Sequence, residues 1–454
     1  MINPIFLPEL RTLLAEGDDQ GLAEVMNELH PATVAEFSEG LSVGETWQLL
    51  EHGSIERQAA VFVYFPLDKQ AAMVRGVGAE RMPKLLEAMA PDSRAELLRR
   101  LPAAVVESLL PLVDKEERRN IRQMLAYPEH SAGALMTSDY AWLAADASVG
   151  DALAVLRRQA PASETIYYIY VLDGERHLRG FISLRDLVLA EPAARVGDLM
   201  RPDPISVRVD EDREEVARTL AKYDFLAIPV VDAENRLVGI VTHDDAIDVV
   251  VKEATEDAQR MGGVGPLVEN YLDLPYRRVW SNRSIWLACL FIAEFPTFTA
   301  LAHFGDQMAA VLALSLFVPL CLSTGGNSGS QAATLITRAM ALGQLGPADW
   351  RRVVKHELVI GTALGLTLGS IGFVRAVLTP ASLLGEANRW VLAAVIAQSV
   401  GLICLWGTLV GSTLPLAFRR LGIDPGYASS PFVATFVDVT GIVIYFTIAK
   451  AYLL

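Results

Sequence analysis

Five long apolar stretches, approximately residues 284–304, 309–336, 356–378, 389–416 and 430–453, constrain this chain more than any other feature. Each has about the 20 residues that a helix needs to cross a bilayer. They divide the 454-residue sequence near position 275. Residues 1–275 hold 27 Lys/Arg against 47 Asp/Glu, a formal −20; residues 276–454 hold 12 against 7, or +5, and the two recover the net −15. A soluble, strongly acidic part therefore precedes a weakly charged membrane part. Such a surface argues against nucleic acid, whose affinity comes mainly from Lys and Arg neutralising phosphates, and it suits cations. The three cysteines, Cys289, Cys321 and Cys404, all fall in the apolar part, which argues against a disulfide framework or a thiolate zinc site. The N-terminus has neither the basic start nor the apolar run of a signal peptide, so the soluble part is expected in the cytosol. With that orientation nine Lys/Arg flank the cytoplasmic ends of the spans, against Arg375, Arg389 and Lys450 at the opposite ends. The positive-inside rule then favours five spans over an even number.

Residues 1–127 carry apolar residues at spacings of three and four and read as all-helical. Pro31, Pro66 and Pro102, 35 and 36 residues apart, suggest helix-pair repeats in which each proline opens a new helix. An ordinary bundle with incidental prolines is the alternative. Residues 131–255 contain a duplication. Leu135-Met136 and Leu199-Met200 are 64 residues apart, while Gly180 and Gly239, and Asp186 and Asp245, are each 59 apart. Each unit reads as strand, helix, two strands about a turn, then helix. The region resembles a tandem pair of CBS domains. Beyond it, Asp244 to Arg260 continues as one helix toward the membrane part, ended by Gly262-Gly263.

Ionisable residues within spans are functional candidates, because burying charge in hydrocarbon is costly. Glu294 lies in the first span and Asp438 in the fifth. Asp438 shares a helical face with Pro431, Ala434, Thr435 and Tyr445, a small and hydroxyl-bearing set that describes a wet face. Glu294, followed by Phe295-Pro296, reads as a structural acid or as part of an ion path. The second span contains TGGNSGSQ (Thr324–Gln331), expected to interrupt the helix and to present hard oxygen ligands suited to hydrated Mg²⁺. The sequence has no GxxxxGK[ST] phosphate loop, which argues against an ATP-powered pump. The membrane potential alone supplies about 4.6 kcal/mol per 100 mV for a divalent ion.

TGGNSGSQ, DPGYASSPFVATFVDVTG (Asp424–Gly441), the CBS pair and YPEHSAGALMTSDY (Tyr127–Tyr140), in this order, resemble the bacterial MgtE-type magnesium channels along the whole chain. The resemblance implies an all-α superhelical N-terminal domain (1–127) and α/β CBS domains at 128–192 and 193–244. It further implies a plug helix with linker (245–275) and an α-helical transmembrane domain of five spans (276–454). It implies a homodimer in the bacterial inner membrane, with N-terminal domains in the cytoplasm and a pore on the two-fold axis. Asp438 and the Ala434 carbonyl would face the ion there, beside Gly325, Gly326 and Asn327. The resemblance assigns Mg²⁺ sensing to Asp212, Glu214, Asp224, Asp245 and Asp248, with Glu253, Glu256 and Asp257 on the plug helix. Nucleotide binding, with ATP as the ligand in some members, would use Tyr168, Arg185, Asp186 and Phe225; a purely structural CBS dimer is the alternative. Glu294 stands where the family pattern has a neutral residue, and no N-domain ligand can be aligned.

The expected function is Mg²⁺-selective uptake through a potential-driven channel that cytosolic Mg²⁺ closes. The alternative is a proton-coupled divalent-cation transporter using Glu294 and Asp438 as a relay. A CBS-regulated membrane enzyme is disfavoured: the seven histidines include none in the last 98 residues, and no nucleophile–base set adjoins the membrane part.

Overall fold

The computed structural model describes residues 6–76, 82–267, 271–272, 274–305, 312–384 and 387–453. The start of the second expected span (309–311) and parts of the linker (268–270 and 273) lie outside the described residues. The chain forms two compact units, Met1–Val251 and Lys252–Leu454.

Between Leu7 and Ala126 the described residues of the first unit hold ten α-helices, the longest of 12 residues. Proline sets the starts of several. Pro31 is the first residue of Pro31–Phe37, Pro66 immediately precedes Leu67–Gly76, and Pro102 caps Ala103–Leu109. Lacking an N–H, proline costs nothing in a first turn, where that donor has no intrahelical acceptor. Helices this short do not persist alone in water. They hold together by burying side chains such as Met26, Leu49, Leu50, Phe62 and Met73 completely, each worth roughly 1.5–3 kcal/mol. Arg94, on helix α1 (Pro91–Arg100), is 2% exposed; Glu117 at 2.7 Å and the Leu86 carbonyl at 3.1 Å meet its charge.

Two sheets follow. Strands β1 (Tyr140–Ala144), β2 (Thr165–Leu172), β3 (Leu178–Ser183) and β4 (Arg201–Pro202) form one in that order; β5 (Val207–Arg208), β6 (Ala227–Val231) and β7 (Leu237–Thr242) form the other. In each, a parallel pair crosses over through a helix, α2 (Val149–Gln159) or α3 (Arg213–Tyr223), and an antiparallel hairpin completes the repeat. The repeats exchange their leading segments. Thr137, after the first Leu-Met, bridges Ile240 in β7, and Arg201, after the second, pairs with Phe181 in β3. A Cβ on Gly239 would lie 2.7 Å from Met136 Sδ, and one on Gly180 2.9 Å from Met200 Sδ. Each Leu-Met is thus seated on the other repeat's glycine, which explains why both recur. Helix α4 (His243–Met261) is continuous across the division between the units.

In the second unit, α5 (Tyr276–Ala293) and α6 (Phe295–His303) meet at Glu294. They are followed by α7 (Leu312–Ala341), α8 (Trp350–Val377), α9 (Arg389–Arg420) and α10 (Ser430–Leu453). Four stretches are long and apolar enough to cross a membrane: Tyr276–His303, Pro347–Val377, Arg389–Arg420 and Ser430–Tyr452. Helix α7 has 30 residues but is not among them, since TGGNSGSQ lies at its centre. The expected interruption does not occur: α7 runs unbroken through Thr324–Gln331. Away from water no solvent competes for the backbone, so helical hydrogen bonds persist through glycines. The glycines serve close approach instead, as small residues do between membrane helices. A Cβ on Gly407 or Gly411 of α9 would be driven into the carbonyl oxygens of Gly325 and Gly329. On the other side of α9, a Cβ on Gly365 or Gly369 of α8 would lie 2.7 Å from the carbonyl oxygens of Gly401 and Ala397.

Candidate ion pathway and cytosolic acidic clusters

Asp438 is half-buried on α10, one turn beyond half-buried Ala434. Opposite them is Gly326 of α7: a Cβ there would lie 3.4 Å from Ala434 Cβ and 3.8 Å from Asp438 Oδ1. The structure thus brings together Asp438, Ala434 and Gly326 from segments more than 100 residues apart. Gly325 faces away, toward Ile403 and Val437, while exposed Asn327 donates from Nδ2 to Ser323 Oγ at 3.3 Å. Ser330 Oγ donates to the Ser430 carbonyl at 3.1 Å and fixes the start of α10 on α7. Tyr445 does not share the expected wet face. It is fully buried and its hydroxyl donates to the Leu314 carbonyl at 2.8 Å, so the far end of the Asp438 face is closed by the first turn of α7.

Before α10, the turn at Asp424 receives the end of α4. Arg260 forms ion pairs with Asp424 and, at 3.1 Å, with Glu256, while Asp424 Oδ1 accepts from Gly426 N at 2.7 Å. Glu256, expected as a sensor ligand, is therefore engaged by arginine in this state. Trp286 of α5 packs against the Tyr427 and Phe432 rings, and its Nε1 donates to Ser429 Oγ at 3.3 Å. Sequence reasoning did not single out Arg260 or Asp424 as a pair; their separation of 164 residues offers no local signal.

The remaining sensor candidates divide into separate places. Asp212 caps α3, accepting from Glu214 N at 2.9 Å, and Glu214 pairs with Arg218 at 2.9 Å. Asp224 sits in the left-handed region (φ 54) at the opposite end of the same 11-residue helix, about 18 Å from Asp212 at 1.5 Å per residue. These three do not form one site in the chain. Asp248 is exposed on α4; Glu253 and Asp257 lie further along it, one helical turn apart. Asp245 is different. It accepts from Thr242 Oγ1 at 2.6 Å, and burial pushes its carboxyl up to about 7, with Asp92 and then Asp244 adding to the effect. Asp92, on α1, is pushed up to about 6 by burial and by Glu164, and Glu164 is itself raised by burial and by Asp245 and Asp244. Asp92 and Glu164 escaped sequence reading, because nothing local distinguishes them from solvated acids. Among the described residues, no group of three or more His, Cys, Asp or Glu is arranged to hold a metal ion.

The expected nucleotide residues converge more closely. Tyr168 pairs with Ser183 across β2 and β3, and Ser183 Oγ accepts from Asp186 N at 3.1 Å, so Asp186 opens the helix beside Tyr168. Phe225 meets Tyr168 edge-on at 6.5 Å and 81°. Perpendicular rings offer a base one face rather than a parallel sandwich. Arg185 is exposed, and Arg201 stands 3.8 Å from Asp186.

Fold and site define a class: an integral membrane transporter of cations with a CBS pair preceding its membrane unit. Comparison with known proteins leads to the same class. Residues 318–448 match the family described as "Divalent cation transporter", 29–130 the "MgtE intracellular N domain", and 132–192 and 196–252 the "CBS domain". The chain is 39% identical over 447 residues to the magnesium transporter MgtE of Thermus thermophilus, covering 97% of each. It is 30% identical over 441 residues to that of Bacillus subtilis, covering 97% of this chain and 96% of the relative. The solved cytosolic domain of the Mg²⁺ channel MgtE in complex with ATP matches with a TM-score of 0.51 at 38% identity, over 54% of this chain and 99% of that one. The soluble part of a magnesium transporter matches with a TM-score of 0.52 at 34% identity, over 55% and 98%. The chain belongs to the MgtE family of magnesium transporters.

Proposed function

We propose that the chain is a Mg²⁺-selective channel that admits magnesium down the membrane potential and is closed by Mg²⁺ on its cytosolic side. The observation that carries this reading is the meeting of Asp438, Ala434 and Gly326 within apolar helices. A carboxylate beside small residues leaves room for an ion that keeps its water, and Mg²⁺ sheds water reluctantly. Five spans, with α7 as the second, place Asp438 at membrane depth from both subunits of a homodimer. The domain limits are those read from the sequence, with α4 as the plug. Asp438→Ala is expected to abolish Mg²⁺ uptake in a magnesium-auxotrophic host while leaving folding intact, since it removes charge but little volume. Normal uptake by that variant would overturn the pore assignment.

Closure follows from the acids. Asp245 with Asp92, and the series Glu253, Glu256 and Asp257, repel until divalent ions neutralise them; Asp212, Glu214, Asp224 and Asp248 serve across the dimer. Internal Mg²⁺ then stabilises the closed arrangement by mass action. ATP, bound by the solved relative, is taken here at Tyr168, Arg185, Asp186 and Phe225.

A further inference from the structure

Glu294 is a carboxylate inside the membrane unit that the pore assignment leaves unused. Helices α5 and α10 run parallel: Trp286 bonds Ser429 at the start of α10, and farther along Ala293 lines a small cavity with Thr435, Phe436, Val439 and Thr440. Counted from the Trp286–Ser429 contact, Glu294 is eight residues on and Asp438 nine. At 1.5 Å per residue both lie about 12–14 Å along, so the two acids share one level. Glu294 occupies the break between α5 and α6, where Thr297 Oγ1 donates to its Oε1 at 2.9 Å and Thr297 N to its carbonyl at 2.9 Å. The carboxylate is therefore held in place at the depth of Asp438, not trailing toward the membrane surface.

We infer that Glu294 is a specificity-determining residue of this channel, a second fixed negative charge that biases the Asp438 level toward divalent cations. The inference rests on the channel reading above. A fixed charge acts on an ion in proportion to the ion's own charge. Removing it must therefore weaken Mg²⁺ occupancy by the square of the factor by which it weakens K⁺ occupancy. A residue that only holds the helix break would show no such relation.

The test uses the full-length protein in lipid vesicles, comparing wild type with Glu294→Gln, Glu294→Asp and Asp438→Ala. Glu294→Gln keeps an acceptor for Thr297 and loses the charge; Glu294→Asp keeps the charge and shortens the reach. The expected result for Glu294→Gln is half-saturating external Mg²⁺ raised about tenfold with maximal flux within about twofold, and half-saturating K⁺, in divalent-free solution, raised about threefold. Glu294→Asp should stay near wild type. Unchanged Mg²⁺ saturation in Glu294→Gln overturns the inference, as does a Glu294→Asp defect equal to that of Glu294→Gln. If Asp438→Ala abolishes uptake while Glu294→Gln is silent, only this inference falls; wild-type uptake by Asp438→Ala removes the channel reading itself.

Discussion

Asp92, Glu164 and Asp245 are three carboxyl groups whose proton affinity is raised by burial and by nearby acids, and two of them are pushed up to about 6 and about 7. An acid whose folded pKa lies above its unfolded value stabilises the fold while it is protonated. That contribution is complete below about pH 4 and is lost as pH rises through about 7. For Asp245 the shift from 3.8 to about 7 corresponds to something on the order of 2–4 kcal/mol. With a chelator present, the full chain in detergent should lose thermal stability steadily between pH 5 and 8. Asp245→Asn should flatten that slope and stabilise the protein at pH 8, as should millimolar Mg²⁺. A slope unchanged in Asp245→Asn would mean that the cluster does not carry it. Asp245 could be picked out in the sequence by its 59-residue spacing from Asp186 in the duplicated unit. Asp92 could not, because its significance comes from a partner 153 positions away.

Among the helices, the glycine seams make the sharpest claim. A Cβ at Gly411 would collide with the Gly329 carbonyl, and backbone cannot step aside as a flexible side chain can. At Gly372 of α8 the nearest atoms, on Ile396 and Val400, would be 3.5 Å away, an ordinary contact. Gly411→Ala should therefore cost more than about 3 kcal/mol, beyond the usual range for overpacking, whereas Gly372→Ala should be neutral or gain a few tenths from helix propensity. Melting of the detergent-purified variants checks both, and equal melting temperatures would refute the seam. The same glycines mark where sequence reading was right about place and mistaken about form. Of TGGNSGSQ, Gly326 lies opposite Asp438 and Gly325 faces away, and a glycine-rich stretch among apolar residues can mean a broken helix or a tightly packed one, which composition does not distinguish. Proline was the better guide: Pro31, Pro66 and Pro102 each stand at the start of a helix, where a missing N–H costs nothing. Tyr445 fell on the Asp438 face by spacing, yet spacing cannot tell which end of a face a neighbouring helix covers.

For the molecule as a whole, the function proposed above makes gating a balance between repulsion among acids and their neutralisation by Mg²⁺. Replacing Glu253, Glu256 and Asp257 by Ala removes both, and Glu256→Ala also deprives Arg260 of an ion-pair partner. The triple variant should keep conducting in excised patches at an internal Mg²⁺ concentration that silences the wild type. Closure with unchanged Mg²⁺ dependence would move the sensor to the Asp92–Asp245 cluster. The seams described above also bear on how any such movement is distributed. Helices α7, α8 and α9 touch backbone to backbone, whereas the most apolar window of Tyr276–His303 is only 6% buried. The membrane unit is consequently stiff on one side and compliant on the other. A displacement passed from Arg260 to the Asp424 turn would therefore reach α5 through Trp286 more easily than it would deform the α7–α9 block.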